Sequence, residues 1–164
     1  MTAKILVVDD EESVRTALGK VLRAEGYEVA LAENGQAGIE KIIQEQIDLV
    51  LLDLGLPVKD GWTLLKWLQT FNRLLPTIVI TGRWNQTEMA EAAGADMLME
   101  KPLDTTKLLQ HIRQLLEESV ECRARRANDR KRDFQNVSCD PHQFRAGLES
   151  RVTTPFKWFG LKHN

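Results

Sequence analysis

Cysteine is scarce in this chain: two residues in 164, Cys122 and Cys139, 17 positions apart. They form no CxxC pair and no Cys/His cluster at zinc spacing, which excludes a disulfide scaffold and a zinc module and leaves two free thiols in a reducing compartment. Long apolar runs are missing too. Nothing approaches the roughly 20 residues that cross a bilayer. The opening MTAKILVVDDEE has a short apolar run and then four acids, without the longer stretch and small-residue cleavage site of a signal peptide. A cytoplasmic protein with no membrane contact is expected. There is no internal repeat, no G-x-x-x-x-G-K-[ST] loop and no G-x-S-x-G elbow.

What is present has a regular order. Hydrophobic residues make up 43% and charged residues 28%, the balance of a globular domain. The run KILVV (4–8) predicts a first strand ending at Asp9. Val14, Ala17, Leu18, Val21 and Leu22 predict a helix over 13–25, with Ser13 as N-cap and Gly26 as stop. EVALA (28–32) reads as a second strand, and 36–45 as a second helix carrying Ala37, Ile39, Ile42 and Ile43. Leu49 to Leu52 is continuously apolar, as a strand covered on both faces must be, and it ends at Asp53. A helix near 61–73, a strand at 77–80, a short helix at 86–93 ending at Gly94, a strand at 96–99 and a helix over 104–118 complete the series. Alternating strands and helices imply an α/β, doubly wound, five-stranded parallel sheet with helices on both faces.

Charge divides the chain. Residues 1–118 hold 12 basic and 19 acidic residues, a net of −7; residues 119–164 hold 10 and 5, a net of +5. The expected organisation is one domain over 1–118 and a basic extension over 119–164, partly helical or disordered, with no recognisable output domain. The stretch RARRANDRKR (123–132) is read as continuing the preceding helix before fraying.

In doubly wound sheets, ligands bind outside the carboxyl ends of the strands. The chemically loaded residues all fall there: Asp9 and Asp10 after the first strand, Asp53 after the third, Thr81 after the fourth and Lys101 after the fifth. Three carboxylates at one mouth repel each other. A divalent cation resolves this, and Mg²⁺ favours such oxygen ligands while keeping waters for a phosphate. Asp53 can then attack phosphorus as a covalent nucleophile, with Lys101 and the Thr81 hydroxyl holding phosphoryl oxygens. A dinucleotide fold fits worse, because the turn after the first strand is DDEE and not a glycine-rich loop.

The segments VVDDEESVR, LVLLDLGLPVKDG, IVITG and GADMLMEKP resemble the markers of the response-regulator receiver domain of two-component signal transduction, over about residues 3–118. The resemblance implies a flavodoxin-like strand order 2-1-3-4-5. It implies that Asp10 binds Mg²⁺ directly, that Asp9 assists through water, that the Gly55 carbonyl completes the metal site, and that Asp53 is the phosphoacceptor. It implies that Thr81 and Lys101 hold the phosphoryl group, that Lys101–Pro102 is cis, and that a sensor histidine kinase or phosphotransfer protein is the donor. The sequence departs from the family at Leu98, where a Tyr or Phe is usual, and in the interval from Thr81 to Lys101, which is shorter by about half a helical turn. Output through the usual aromatic relay is therefore not expected.

Other readings are blander. His111 suits a solvated helix position better than a phosphotransfer role. Trp62 and Trp67 are five apart and do not share a helix face well, so at least one belongs in the core, and Trp84 suits an exposed contact. The basic tail lacks a helix-turn-helix pattern, a zinc finger and the length of a winged helix, so nucleic acid is not an expected partner. PFKWFGL (155–161) suits a docking peptide. The expected function is a phosphoacceptor switch that catalyses only its own phosphorylation and hydrolysis and presents a surface to a downstream protein. The alternatives are a phosphorylation-independent interaction module and a DNA-binding regulator acting through the tail.

Overall fold

The structure, a computed structural model, describes residues 2–56, 60–82 and 94–129. Among them run β1 (Lys4–Val8), α1 (Glu12–Ala24), β2 (Glu28–Ala32), α2 (Gly35–Gln44), β3 (Leu49–Asp53), α3 (Asp60–Phe71), β4 (Thr77–Thr81), β5 (Met97–Glu100), α4 (Thr105–Glu117) and α5 (Val120–Asp129). The expected helix at 86–93, Trp84 and the aromatic tail segment lie outside the described residues.

The five strands form one parallel sheet in the order β2-β1-β3-β4-β5. β3 and β4 are buried along their whole length, which is why LVLLD and TIVIT read as continuous rather than alternating runs. Alternate residues feed two cores. Ile5, Val7, Leu49, Leu51, Ile78 and Ile80 meet Leu18 and Leu22 of α1 and Leu108, Ile112 and Leu115 of α4. Leu6, Val8, Val50, Leu52 and Val79 meet Leu64, Leu65 and Leu68 of α3 on the other face. Trp62 and Trp67 are both half-buried against this second core, and Leu98 packs there as well.

The helix ends follow local chemistry. α1 closes on Gly26, whose φ of 87° lets the Gly26 and Tyr27 amides bond back to Arg23 and Leu22 at 3.0 and 3.1 Å. α2 is capped by Asn34, which accepts from the Ala37 amide at 2.8 Å, and α4 by Asp104, which accepts from the Thr106 and Lys107 amides. The expected cap at Ser13 is corrected: α1 begins at Glu12 with Glu11 at the cap position. The Glu11 amide is already bound by the Asp9 carboxylate at 2.8 Å, which turns the chain into the helix before Ser13 is reached.

A second correction concerns the tail. The helix after β5 does not run on through the arginines. It stops at Glu117, the backbone becomes extended at Glu118, and Ser119 accepts from the Cys122 amide at 3.2 Å to start α5. α5 then docks on the sheet domain. Arg123 donates to the last α4 carbonyls, Leu115 and Leu116, at 3.1 and 3.2 Å. Arg126 grips Glu118 through Nε (3.0 Å) and Nη2 (2.5 Å), and its Nη1 reaches Asp96, which precedes β5 and also accepts from the Thr77 amide at 2.7 Å. Cys122, a free thiol expected outside the ordered part, is buried in this junction.

Candidate functional site

β1, β3, β4 and β5 end side by side, so the residues at their carboxyl ends converge. Asp9, Asp10 and Asp53 each offer a carboxylate oxygen within 4.8 Å of the others. Asp9 and Asp53 are buried, Asp10 exposed. Two like charges at 4.8 Å repel by about 3 kcal/mol at an effective dielectric of about 20, so three together need compensation.

Lys101 supplies part of it. Its ammonium lies 2.6 Å from Asp53 Oδ2 and 3.5 Å from Asp9 Oδ2. Burial pulls the Lys101 pKa down, but the hydrogen bond and attraction to Asp53, and then to Asp9, outweigh it and hold the pKa above its ordinary value. Asp9 goes the other way for an acid. Burial pushes its pKa up, and the Glu11 amide and Lys101 only partly offset that rise. Asp9 Oδ2 is buried and accepts no hydrogen bond of ordinary geometry.

That oxygen is an acceptor lacking a hydrogen-bond donor, in a cluster that one lysine cannot neutralise. Buried polar atoms in this condition usually mark an ion or water, so the donor set fits a divalent cation bound through oxygen. Gly55 adds room. Its amide donates to Asp53 Oδ1 at 2.7 Å, and a Cβ there would stand 3.1 and 3.2 Å from the two Asp53 oxygens. A side chain at this position would crowd that side of the carboxylate.

Thr81 is buried at the end of β4, and its carbonyl accepts from the Lys101 amide at 2.9 Å, which sets the two residues side by side. The Lys101–Pro102 bond is cis. The structure thus gathers Asp9, Asp10, Asp53, Gly55 and Lys101 at one mouth, with Thr81 adjoining. His111 lies half-buried on α4 and is not part of the acid cluster.

One participant was not legible in the sequence. Arg15 Nη1 donates to the carbonyls of both Asp9 and Asp10, at 2.7 and 2.9 Å. Its only signal is a cation in the first turn of a helix, where the helix dipole disfavours one.

Comparison with known proteins agrees with this fold. A family model for the response regulator receiver domain matches residues 5–113. The response regulator MprA of Mycobacterium ulcerans is 34% identical over 143 residues, covering 86% of this chain and 62% of that protein. The transcriptional regulatory protein ZraR of Klebsiella oxytoca is 42% identical over 106 residues, covering 63% and 24%. The chain therefore spans only part of the curated relatives it matches. Among solved structures, a CheY-like receiver domain protein from Methanospirillum hungatei superposes with a TM-score of 0.67 at 31% identity, covering 71% of this chain and 95% of that one. The response regulator TrrA of Thermotoga maritima, solved in complex with Mg²⁺ and BeF, gives 0.65 at 30% identity, covering 70% and 99%.

Proposed function

The chain belongs to the response-regulator receiver family, and on that premise we propose that it is a two-component switch in which Asp53 accepts a phosphoryl group from a phosphohistidine donor. The observation that carries this reading is the convergence of Asp9, Asp10 and Asp53 within 4.8 Å, with Lys101 bonded to Asp53, at the carboxyl ends of parallel strands. Asp9, Asp10, Asp53 and the Gly55 carbonyl would hold Mg²⁺. When bound, the ion supplies positive charge toward both the carboxylates and a phosphoryl group. The complex of TrrA with Mg²⁺ and BeF supports that assignment by analogy.

The chain's own residues do the rest. An Asp53 oxygen attacks phosphorus, forming an acyl phosphate as the donor's N–P bond breaks and its imidazole leaves, taking up a proton. Lys101, now on Asp53 Oδ2, moves to an oxygen of the incoming phosphoryl group, and the Thr81 hydroxyl donates to another. Hydrolysis of the acyl phosphate resets the switch. The donor is a sensor histidine kinase or a phosphotransfer protein, the reader is a downstream protein, and the compartment is the cytoplasm. Among the described residues no helix is long and apolar enough to cross a membrane.

Incubating the chain with acetyl phosphate and Mg²⁺ and mapping the acid-stable, base-labile adduct tests this. Label is expected on Asp53 alone, lost in Asp53→Asn and in excess chelator. Wild-type labelling of the Asp53→Asn protein would overturn the reading.

A further inference from the structure

We propose that Arg15 is a positioning residue for the acid pair: it locks the β1–α1 turn so that Asp9 and Asp10 present their carboxylates to a divalent cation. The inference rests on the Mg²⁺ reading above and adds to it a residue that touches neither metal nor substrate.

The turn is held from several sides. The Asp9 amide donates to the Ala32 carbonyl at 3.2 Å, tying the residue to the neighbouring strand. Asp9 Oδ1 accepts from the Glu11 amide at 2.8 Å, which fixes the carboxylate plane and leaves Oδ2 turned inward toward Lys101. The Asp9 and Asp10 carbonyls remain, and Arg15 Nη1 spends one hydrogen on each. Asp10 is exposed. Its carbonyl bond to Arg15 ties its backbone to α1 beside the pocket.

The position of Arg15 argues against a purely local role. It sits one turn into α1, its own amide bonded to the Glu11 carbonyl at 3.0 Å, where the positive end of the helix dipole opposes a cation. Glu12, in the same turn, has the favoured sign. A guanidinium that breaks the local preference is explained by what it bonds to. Groups that orient metal ligands from outside the coordination sphere typically change metal affinity by 10–100-fold when removed.

Sign separates positioning from charge. Deleting a cation near an acidic site strengthens Mg²⁺ binding if only the field matters. If Arg15 holds the turn, deletion weakens it. Mg²⁺ alone is titrated into the full-length chain by calorimetry for wild type, Arg15→Ala and Arg15→Lys, with thermal midpoints recorded in chelator. The expected result is Mg²⁺ affinity about tenfold weaker in Arg15→Ala, a midpoint in chelator close to wild type, and partial recovery of the affinity in Arg15→Lys, whose ammonium keeps a donor for these carbonyls. Unchanged or tighter binding in Arg15→Ala overturns the proposal. So does a loss of affinity matched by a large fall in the metal-free midpoint that lysine does not rescue, since that is general destabilisation. If wild type itself binds no Mg²⁺, the functional reading fails and this proposal falls with it, an outcome distinct from either mutant result.

Discussion

Arg126→Ala should release the tail helix. The guanidinium serves two carboxylates at once, with side-chain exposures of 17% for Arg126, 2% for Asp96 and 12% for Glu118. Stripping one partner from a buried ion cluster costs about 3–5 kcal/mol when the remaining charges stay buried. Here they need not stay. α5 has ten residues, too few to persist as an isolated helix, and it can lift away so that water reaches Asp96 and Glu118. The loss is therefore capped by the docking energy of α5. That energy comes from the Arg126 ion pairs, the Ser119 cap, the two Arg123 hydrogen bonds and the burial of Cys122, set against the ordering of the segment. A net of about 2 kcal/mol is expected.

Two assays read it. The urea midpoint should fall by about 1 M for a slope of about 2 kcal/mol per molar. In a Cys139→Ser background, the buried Cys122 thiol should react with a disulfide reagent about thirtyfold faster, since each 1.4 kcal/mol of lost protection is a factor of ten. A double-mutant cycle with Asp96→Asn should return a coupling of about 1–3 kcal/mol. Wild-type thiol reactivity and an unmoved midpoint in Arg126→Ala would refute the reasoning.

Truncation gives an independent check: a chain ending after Glu118 should match Arg126→Ala in urea midpoint. Asp9 supplies a pH dependence. Because burial holds its carboxyl above the ordinary 3.8, the folded form keeps that proton more tightly than the unfolded form. Its contribution is present below 3.8 and is lost as pH rises through the folded value, so at neutral pH without metal ionised Asp9 destabilises. Asp9→Asn should therefore raise the thermal midpoint in chelator at pH 7 and not at pH 3, as scanning calorimetry would show; a lower midpoint at pH 7 would contradict the assigned cause.

The sheet was readable because both of its faces are covered. A strand buried on two sides has little choice but a continuous apolar run, and β3 and β4 carry such runs between polar loops. Helix boundaries came within a residue or two, and the offset at α1 has a local cause: the Asp9 carboxylate on the Glu11 amide moved the start ahead of Ser13. The two tryptophans show the limit of face arguments. Five positions apart on α3, they still both reach the same core, because a large side chain at the edge of a helix face covers area its Cα direction does not suggest. The acid pocket was readable because its members are distinguished by residue type and by falling at strand ends. Arg15 was not, since its partners are backbone carbonyls, which no residue letter advertises.

The tail shows how a composition boundary and a packing boundary can differ. A body of net −7 followed by an extension of net +5 reads as two regions, and long-range attraction between them is screened at physiological salt. The contacts that matter are not long-range. Arg123 closes the carbonyl end of α4, where a cation favours the helix dipole, and Arg126 joins Asp96 from before β5 to Glu118 from beyond α4. Both arginines belong to the basic side of the divide, and the two carboxylate partners of Arg126 belong to the acidic side. The charge step after residue 118 thus coincides with what fastens α5 to the sheet, at Asp96, at the end of β5 opposite Lys101.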